Sequence, residues 1–317
     1  MPEKSSASED RPSRDLLIDV ARRFYLQDES KVEIAKQLGL SRFKVARLLE
    51  TARSQGLVKI EIAGEPTVDS VLAERVSQEL GIEGVLVIQT ANGEGPTAIR
   101  RAIGSVAASE LTRLLTRKDV LGLPWSRSVA ATVGALRSLP QVPIVQLSGA
   151  LAIPDLESSV DLVRSAANLS GGDAHLYYAP LVAADPASAR MLRRQPGVSE
   201  ALAQVAKVTV AVVGVGSWAS GESTLFDLAT PAERVAMRKA GAIGEISGVF
   251  VDAAGKAVDG GLADRIITLS ARQLVDIPTV IGLVSGAHRA PVVRAAIAGK
   301  KVNRLVIDAP LARALLA

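Results

Sequence analysis

Two sets of residues in this chain have the types and spacing to do chemistry, and both suit anions. The first is Ser41, Arg42, Phe43, Lys44 and Arg47. On a helix they fill the first two turns, the part of a recognition helix that meets base edges and phosphates in a DNA major groove. The second set lies in four segments that follow apolar runs or turns. Ser126, Arg127 and Ser128 stand where a strand would give way to a helix, so free backbone N–H groups, two hydroxyls and a guanidinium suit a phosphate. Gly214 and Gly216, with Ser217, allow a ligand close to the backbone. Gly286 precedes Arg289, a cation placed to meet an anion, and Glu245 offers a carboxylate to ligand hydroxyls.

Several chemistries are poorly provided for. The chain has no cysteine, which excludes thiolate metal sites, cysteine nucleophiles and disulfides. Its two histidines, His175 and His288, are far apart, so a metal site is not expected. His175 is expected at a strand end and His288 as a bystander or a helix cap. No serine pairs with a histidine in a nucleophile elbow, and neither GxxxxGK[ST] nor GxGxxG occurs, so no catalytic residues and no cofactor are assigned. Asp252 and Asp308 each follow a strand and are expected to be turn residues.

The first set needs two helices to present it. Val32, Ile34, Ala35 and Leu38 give Lys31 to Leu38 an apolar face, Gly39 suits a left-handed C-cap, Leu40 plugs the corner and Ser41 suits the next N-cap. Val45, Leu48, Leu49 and Ala52 recur at helical spacing and form one buried stripe, opposite Phe43, Lys44 and Arg47. This is a helix-turn-helix pattern; its alternative is an ordinary helical hairpin with a solvated basic face. Over residues 41–59 five cations face Glu50 alone, and the whole chain is also only +4, so the remainder is balanced. Such a local basic stripe is an electrostatic footprint for nucleic acid. Asp15 to Leu26 is a preceding helix, and Val58 to Ile62 alternate as a short strand, a candidate wing.

The second set needs a sheet. Beyond Pro66 helices and strands alternate. Helices are expected at 68–80, 98–115, 129–138, 156–170, 290–298 and 310–316. Strands are expected at 84–89, 120–122, 144–147, 175–178, 208–213, 248–252, 257–259, 279–283 and 304–307. The alternation predicts a mainly parallel sheet with helices on both faces, whose ligands bind outside the carboxyl ends of the strands. With 317 residues the chain divides into a polar, disordered arm (1–13), an all-α, winged helix-turn-helix domain (14–65) and an α/β effector domain (66–317). No apolar run approaches a membrane span and no signal peptide is expected, so the expected location is the cytoplasm, with no membrane partner.

The chain resembles the SorC-type (DeoR-like) sugar-binding transcriptional regulators of bacteria from about Asp15 to Ala317. The residues that carry the likeness are LSRFKVARLLETARSQGLVKIEI (40–62), GLPWSRSV (122–129), IVQLSGAL (144–151), YYAPLV (177–182), VVGVGS (212–217), GAIGEISGVFVDAAG (241–255) and VSGAHRAPVVRAAIAGKKVNRLVIDAPLARALL (284–316). The resemblance implies an effector domain similar to sugar-phosphate isomerases and glucosamine-phosphate deaminases. It implies double-stranded operator DNA and a phosphorylated sugar or polyol as partners, with the chain assembled as a homotetramer, a dimer of dimers. It also implies a phosphate loop at Ser126 to Ser128, a glycine loop at Gly214 to Ser217 and hydroxyl binding near Glu245. Two departures stand out: Pro124 and Ser126 replace a more usual Ser or Thr and Gly, and Arg289 stands where Lys is frequent, exchanging a point charge for a planar fork. The expectation is a regulator and not an enzyme. A sugar-phosphate isomerase or deaminase is the main rival, detectable as turnover by residues 66–317, and a scaffold using the helices for protein contact is a third reading.

Overall fold

The computed structural model describes residues 12–27, 29–58, 66–90, 94–151 and 158–317. The chain divides into two compact units, Met1–Gly64 and Glu65–Ala317.

The first unit holds α1 (Arg14–Leu26), α2 (Lys31–Leu38) and α3 (Arg42–Ser54). Each begins on a serine whose hydroxyl accepts a backbone N–H: Ser13, Ser30 and Ser41. At α2 the reciprocal bond from Glu33 to the Ser30 N–H completes a capping box. Gly39 ends α2 at φ +65°, a conformation that side chains disfavour. Leu17, Val20, Ile34, Val45, Leu48, Leu49 and Ala52 close one core, with Leu38 and Leu40 packed against it. Val32 departs from expectation: it is 59% exposed, whereas Ile34 and Ala35 are buried. The expected wing beyond Val58, and the arm up to residue 11, lie outside the described residues.

The second unit is built on seven parallel strands in the order β1-β9-β8-β5-β2-β3-β4. These are β1 (Val85–Ile88), β2 (Leu121–Leu123), β3 (Ile144–Gln146), β4 (Ala174–His175), β5 (Val210–Ser217), β8 (Thr279–Val284) and β9 (Arg304–Asp308). Two short strands, β6 (Gly244–Ile246) and β7 (Val249–Val251), extend antiparallel from β5. The central strands β5, β8 and β9 are mostly apolar and buried because both faces are covered, whereas the edge strand β4 is not buried. Val85, Val87, Ala211, Val213 and Val280 pack with α4 (Ser70–Leu80), α12 (Ala271–Asp276), α13 (Ala290–Ala298) and α14 (Ala309–Leu316). The alternate residues, such as Ile88, Val210, Val212, Ile281 and Val306, pack with α5 (Pro96–Leu114), α6 (Arg127–Ala135) and α7 (Ser159–Ser170).

Five further helices, α8 (Pro186–Arg194), α9 (Pro196–Ala203), α10 (Thr224–Leu228), α11 (Pro231–Lys239) and α12, fall in stretches where helical periodicity was not evident. A third core takes Phe250 from the antiparallel arm, whose Ile246, Val249 and Val251 pack with α13 and α14 instead. In this third core Trp218 meets Phe226 and Phe250 edge-on, at centroid distances of 5.0 and 5.1 Å. No described helix is long and apolar enough to cross a membrane.

Candidate functional site

The strand order reverses between β2 and β5. From β2 the chain proceeds outward through β3 and β4; from β5 it proceeds the other way through β8 and β9. A crevice must open at the carboxyl ends of the two strands where the helices diverge. A cavity of about 120 Å³ lies there, room for roughly ten waters and so for a small polyol.

Of the expected residues, Ser126, Arg127, Ser128, Gly214, Gly216, Glu245 and Arg289 line this cleft. Ser217 and Gly286 do not. Ser217 is paired with Gly244 in the β5–β6 ladder. Gly286, at φ +93°, gives its N–H to both carboxylate oxygens of Asp308 at 3.0 Å.

The local structure also corrects three expectations. Arg127 and Ser128 are not loop residues but the first turn of α6, whose N-cap is Ser126: its hydroxyl accepts the Val129 N–H at 3.1 Å. That hydroxyl is therefore already engaged. Residues 214–217 are no loop either. They continue β5, whose parallel pairing with β8 ends at Gly214 and whose antiparallel pairing with β6 begins at Val215. Gly214 and Gly216 are needed there. A Cβ on Gly214 would stand 2.9 Å from the Ser126 hydroxyl oxygen, and one on Gly216 2.9 Å from the Glu222 carbonyl oxygen. Glu245 likewise belongs to a strand, β6, and not to a turn.

Glu245 accepts the Ser223 hydroxyl at 3.0 Å and the Gly248 N–H at 2.8 Å. Burial pushes its carboxyl above the ordinary value, against the downward pull of those two bonds and of the Arg289 charge. Arg289 pairs with Glu222, whose Oε2 also lies 2.6 Å from His288 Nε2. His175 sits at the end of β4 as expected. Asp252 accepts the Ala254 and Lys256 N–H groups of its turn, and Asp308 is the N-cap of α14.

Four contributors were not evident in the sequence. Arg100 reaches the cleft from the second turn of α5; burial, then the positive charges of Arg127 and Arg289, push its guanidinium below the ordinary value. Arginine keeps its proton regardless, so the shift marks like charges gathered in one place. Ser148 is buried and accepts the Trp125 N–H at 2.8 Å, fixing the segment ahead of α6. Ser247, at φ +49°, lines the cleft with a buried hydroxyl that has no partner among the described residues. Glu222 also lines the cleft. Together these groups form a cleft that gathers three guanidiniums, a helix N-terminus and several hydroxyls. Among the described residues no three His, Asp or Glu side chains group as a metal site.

In the first unit, Ser41, Arg42, Phe43, Lys44 and Arg47 are all exposed. Phe43 is 82% exposed, a large apolar side chain with no core to fill. The Ser41 hydroxyl caps α3 by accepting the Lys44 N–H at 3.1 Å.

Residues 65–317 match the family model described as "Putative sugar-binding domain". A transcriptional regulator LsrR from Klebsiella pneumoniae is 28% identical over 96% of this chain and 93% of its own length. The full-length sorbitol operon regulator SorC from Klebsiella pneumoniae is 25% identical, with a TM-score of 0.72, covering 97% of this chain and all of its own. A DeoR family transcriptional regulator from Listeria monocytogenes, 22% identical with a TM-score of 0.69 over 78% of this chain, shares the fold. The chain belongs to the SorC-type family of sugar-binding transcriptional regulators.

Proposed function

We propose that this chain is a DNA-binding regulator of a carbohydrate or polyol catabolic operon, controlled by a phosphorylated sugar or related polyol in the cleft. The carrying observation is the meeting of the α6 N-terminus with Arg100 and Arg127 where the sheet order reverses. A dianionic phosphoryl group answers both the free N–H groups and the gathered charge. The second unit is then a non-catalytic relative of the sugar-phosphate isomerase and glucosamine-phosphate deaminase folds.

In the first unit α2, Gly39 and α3 act as the helix-turn-helix. Arg42, Phe43, Lys44 and Arg47 enter the major groove while Ser41 and the neighbouring cations hold phosphate. A single reading helix covers too few base pairs for genomic selectivity, so a homotetramer, working in the cytoplasm on paired half-sites, fits best. Effector binding shifts the population between DNA-competent and incompetent assemblies.

The test is fluorescence anisotropy of the full chain on duplex DNA from upstream of its own operon, against a scrambled duplex, over a range of salt. Selective binding that weakens steeply with salt is expected, and Arg47→Gln relaxes the preference for the operator duplex, as loss of a base-reading side chain does. Equal affinity for both duplexes at every salt, with and without sugar phosphates, counts against the regulator. Turnover of sugar phosphates by the same preparation counts for an enzyme.

A further inference from the structure

The three arginines of the cleft are not equivalent. Arg100 and Arg127 have no carboxylate partner among the described residues. Arg289 is already engaged: one terminal nitrogen pairs with Glu222 Oε2 and the other donates to the Ser285 carbonyl at 2.5 Å. The same Glu222 oxygen takes His288 Nε2 at 2.6 Å. Glu222 is held in place by its neighbours. Gly221, at φ +73°, donates its N–H to Asp227 at 3.0 Å, and the Glu222 N–H reaches the Ala219 carbonyl at 3.2 Å. The next residue, Ser223, caps α10 and donates its hydroxyl to Glu245.

Resting on the phosphoryl reading of this cleft, we propose that Glu222 is a specificity-determining residue. It is an internal carboxylate that fills the place at Arg289 where a ligand's second anionic group would dock. The cleft thereby takes small polyols bearing one phosphoryl group and turns away bisphosphates.

The charge balance supports this. A phosphoryl group carries about −1.5 to −2 at neutral pH, which the two unengaged guanidiniums match. Among the described residues a second such group would find the arginine that Glu222 holds, in a cleft also lined by the carboxyls of Glu222 and Glu245. Displacing Glu222, 26% exposed and shared by Arg289 and His288, would strip the Arg289 guanidinium and the His288 ring nitrogen from a half-buried carboxylate. The polyol hydroxyls between the two ends still find neutral partners in Ser128 and Ser247.

The experiment is calorimetric titration of the full chain, wild type and Glu222→Gln. The probes are fructose 6-phosphate, fructose 1,6-bisphosphate, ribulose 5-phosphate, ribulose 1,5-bisphosphate and inorganic phosphate, the last independent of sugar stereochemistry. Wild type is expected to bind the monoester of a pair roughly tenfold or more tightly than the bisphosphate, the effect of unmatched like charges. Glu222→Gln is expected to raise bisphosphate affinity by roughly tenfold or more relative to the monoester, and Glu222→Gln with Arg289→Gln to lose that gain. Glu222→Ala is the second variant if the glutamine chain melts early. Bisphosphate binding to wild type as tightly as the monoester overturns the proposal, as does an equal gain for both ligands in Glu222→Gln. If folded wild type binds no phosphorylated probe, inorganic phosphate included, the phosphoryl reading itself falls. Monoester binding with no change in selectivity removes only the role of Glu222.

Discussion

Replacing Gly216 by alanine tests how closely the cleft wall is packed. Gly216 is buried in the antiparallel half of β5, opposite Glu245. A Cβ there would stand 2.9 Å from the Glu222 carbonyl oxygen, 3.0 Å from Glu245 Oε1 and 3.2 Å from Ser223 Cβ. The nearest of these atoms is backbone and cannot rotate away. Overpacking of this kind costs about 1–3 kcal/mol. The stiffer unfolded chain of an alanine variant offsets about 0.4–1 kcal/mol of that. The net loss is then about 0–2.6 kcal/mol, or a fall in Tm of up to about 10 °C for a unit of this size. Gly134 is the matched control. It lies in the last turn of α6, exposed, and a Cβ there would meet nothing within 4 Å. Alanine there should gain about 0.5–1 kcal/mol, a rise of about 1–4 °C. Both tryptophans, Trp125 and Trp218, belong to the Glu65–Ala317 unit, so tryptophan fluorescence follows the melting of that unit alone. If the two substitutions move Tm in the same direction, the close-approach argument is wrong.

Two further substitutions probe the groups that shape the site. Burial holds the Glu245 carboxyl above its ordinary value, so the folded chain keeps a proton that the unfolded chain releases from about pH 4.3 upward. Its contribution to stability is therefore fullest below that pH and declines as pH rises toward the raised folded value. Glu245→Gln should flatten this decline in urea midpoints measured across the window; an unchanged decline would place its origin in another group. Asp308, 2% exposed, accepts the Gly286 N–H and the Leu311 N–H at the start of α14. Asp308→Ala loses a cap and charge-assisted bonds, about 2–4 kcal/mol together, and Asp308→Asn should recover more than half. Equal urea midpoints for the two variants would show that the carboxylate's bonds add nothing.

What could be read from the sequence was local. The helix pair α2–α3 announces itself because Gly39, the Ser41 cap and the Val45–Ala52 stripe obey rules that act within one or two turns, while the Ser13 and Ser30 caps emerged only in the structure. The central parallel strands show as short apolar runs because both of their faces are covered. Helices α8 to α12 were missed for a physical reason. α10 and α12, with 5 and 6 residues, offer too few positions for a 3.6-residue period to emerge, and α8, α9 and α11 bury no more than two residues each, so they show no apolar stripe. Their signals were punctuation instead: Pro186, Pro196 and Pro231 at first helical positions, with caps at Asp185, Thr230 and Ser270.

The cleft was legible as a set of strand ends, not as a charge arrangement. Gly214-Val215-Gly216-Ser217 has the composition of a turn, yet the strand runs through it. Nothing local distinguishes a glycine that turns the chain from one that lets a partner segment approach to 2.9 Å. Arg100 lies in the second turn of a 19-residue helix whose sequence carries no motif, and only the packing of α5 on α6 brings it beside Arg127. Glu222 is the sharper case. Read alone, Arg289 after a strand is a cation awaiting a ligand; folded, it has a carboxylate from 67 positions earlier in the chain as its partner. Whether a cation near a strand end serves a ligand or the protein depends on which side chain the tertiary fold sets against it. On the phosphoryl reading proposed above, the arginines to credit with anion binding are those with no carboxylate partner among the described residues, Arg100 and Arg127, ahead of the one that its sequence position made most prominent.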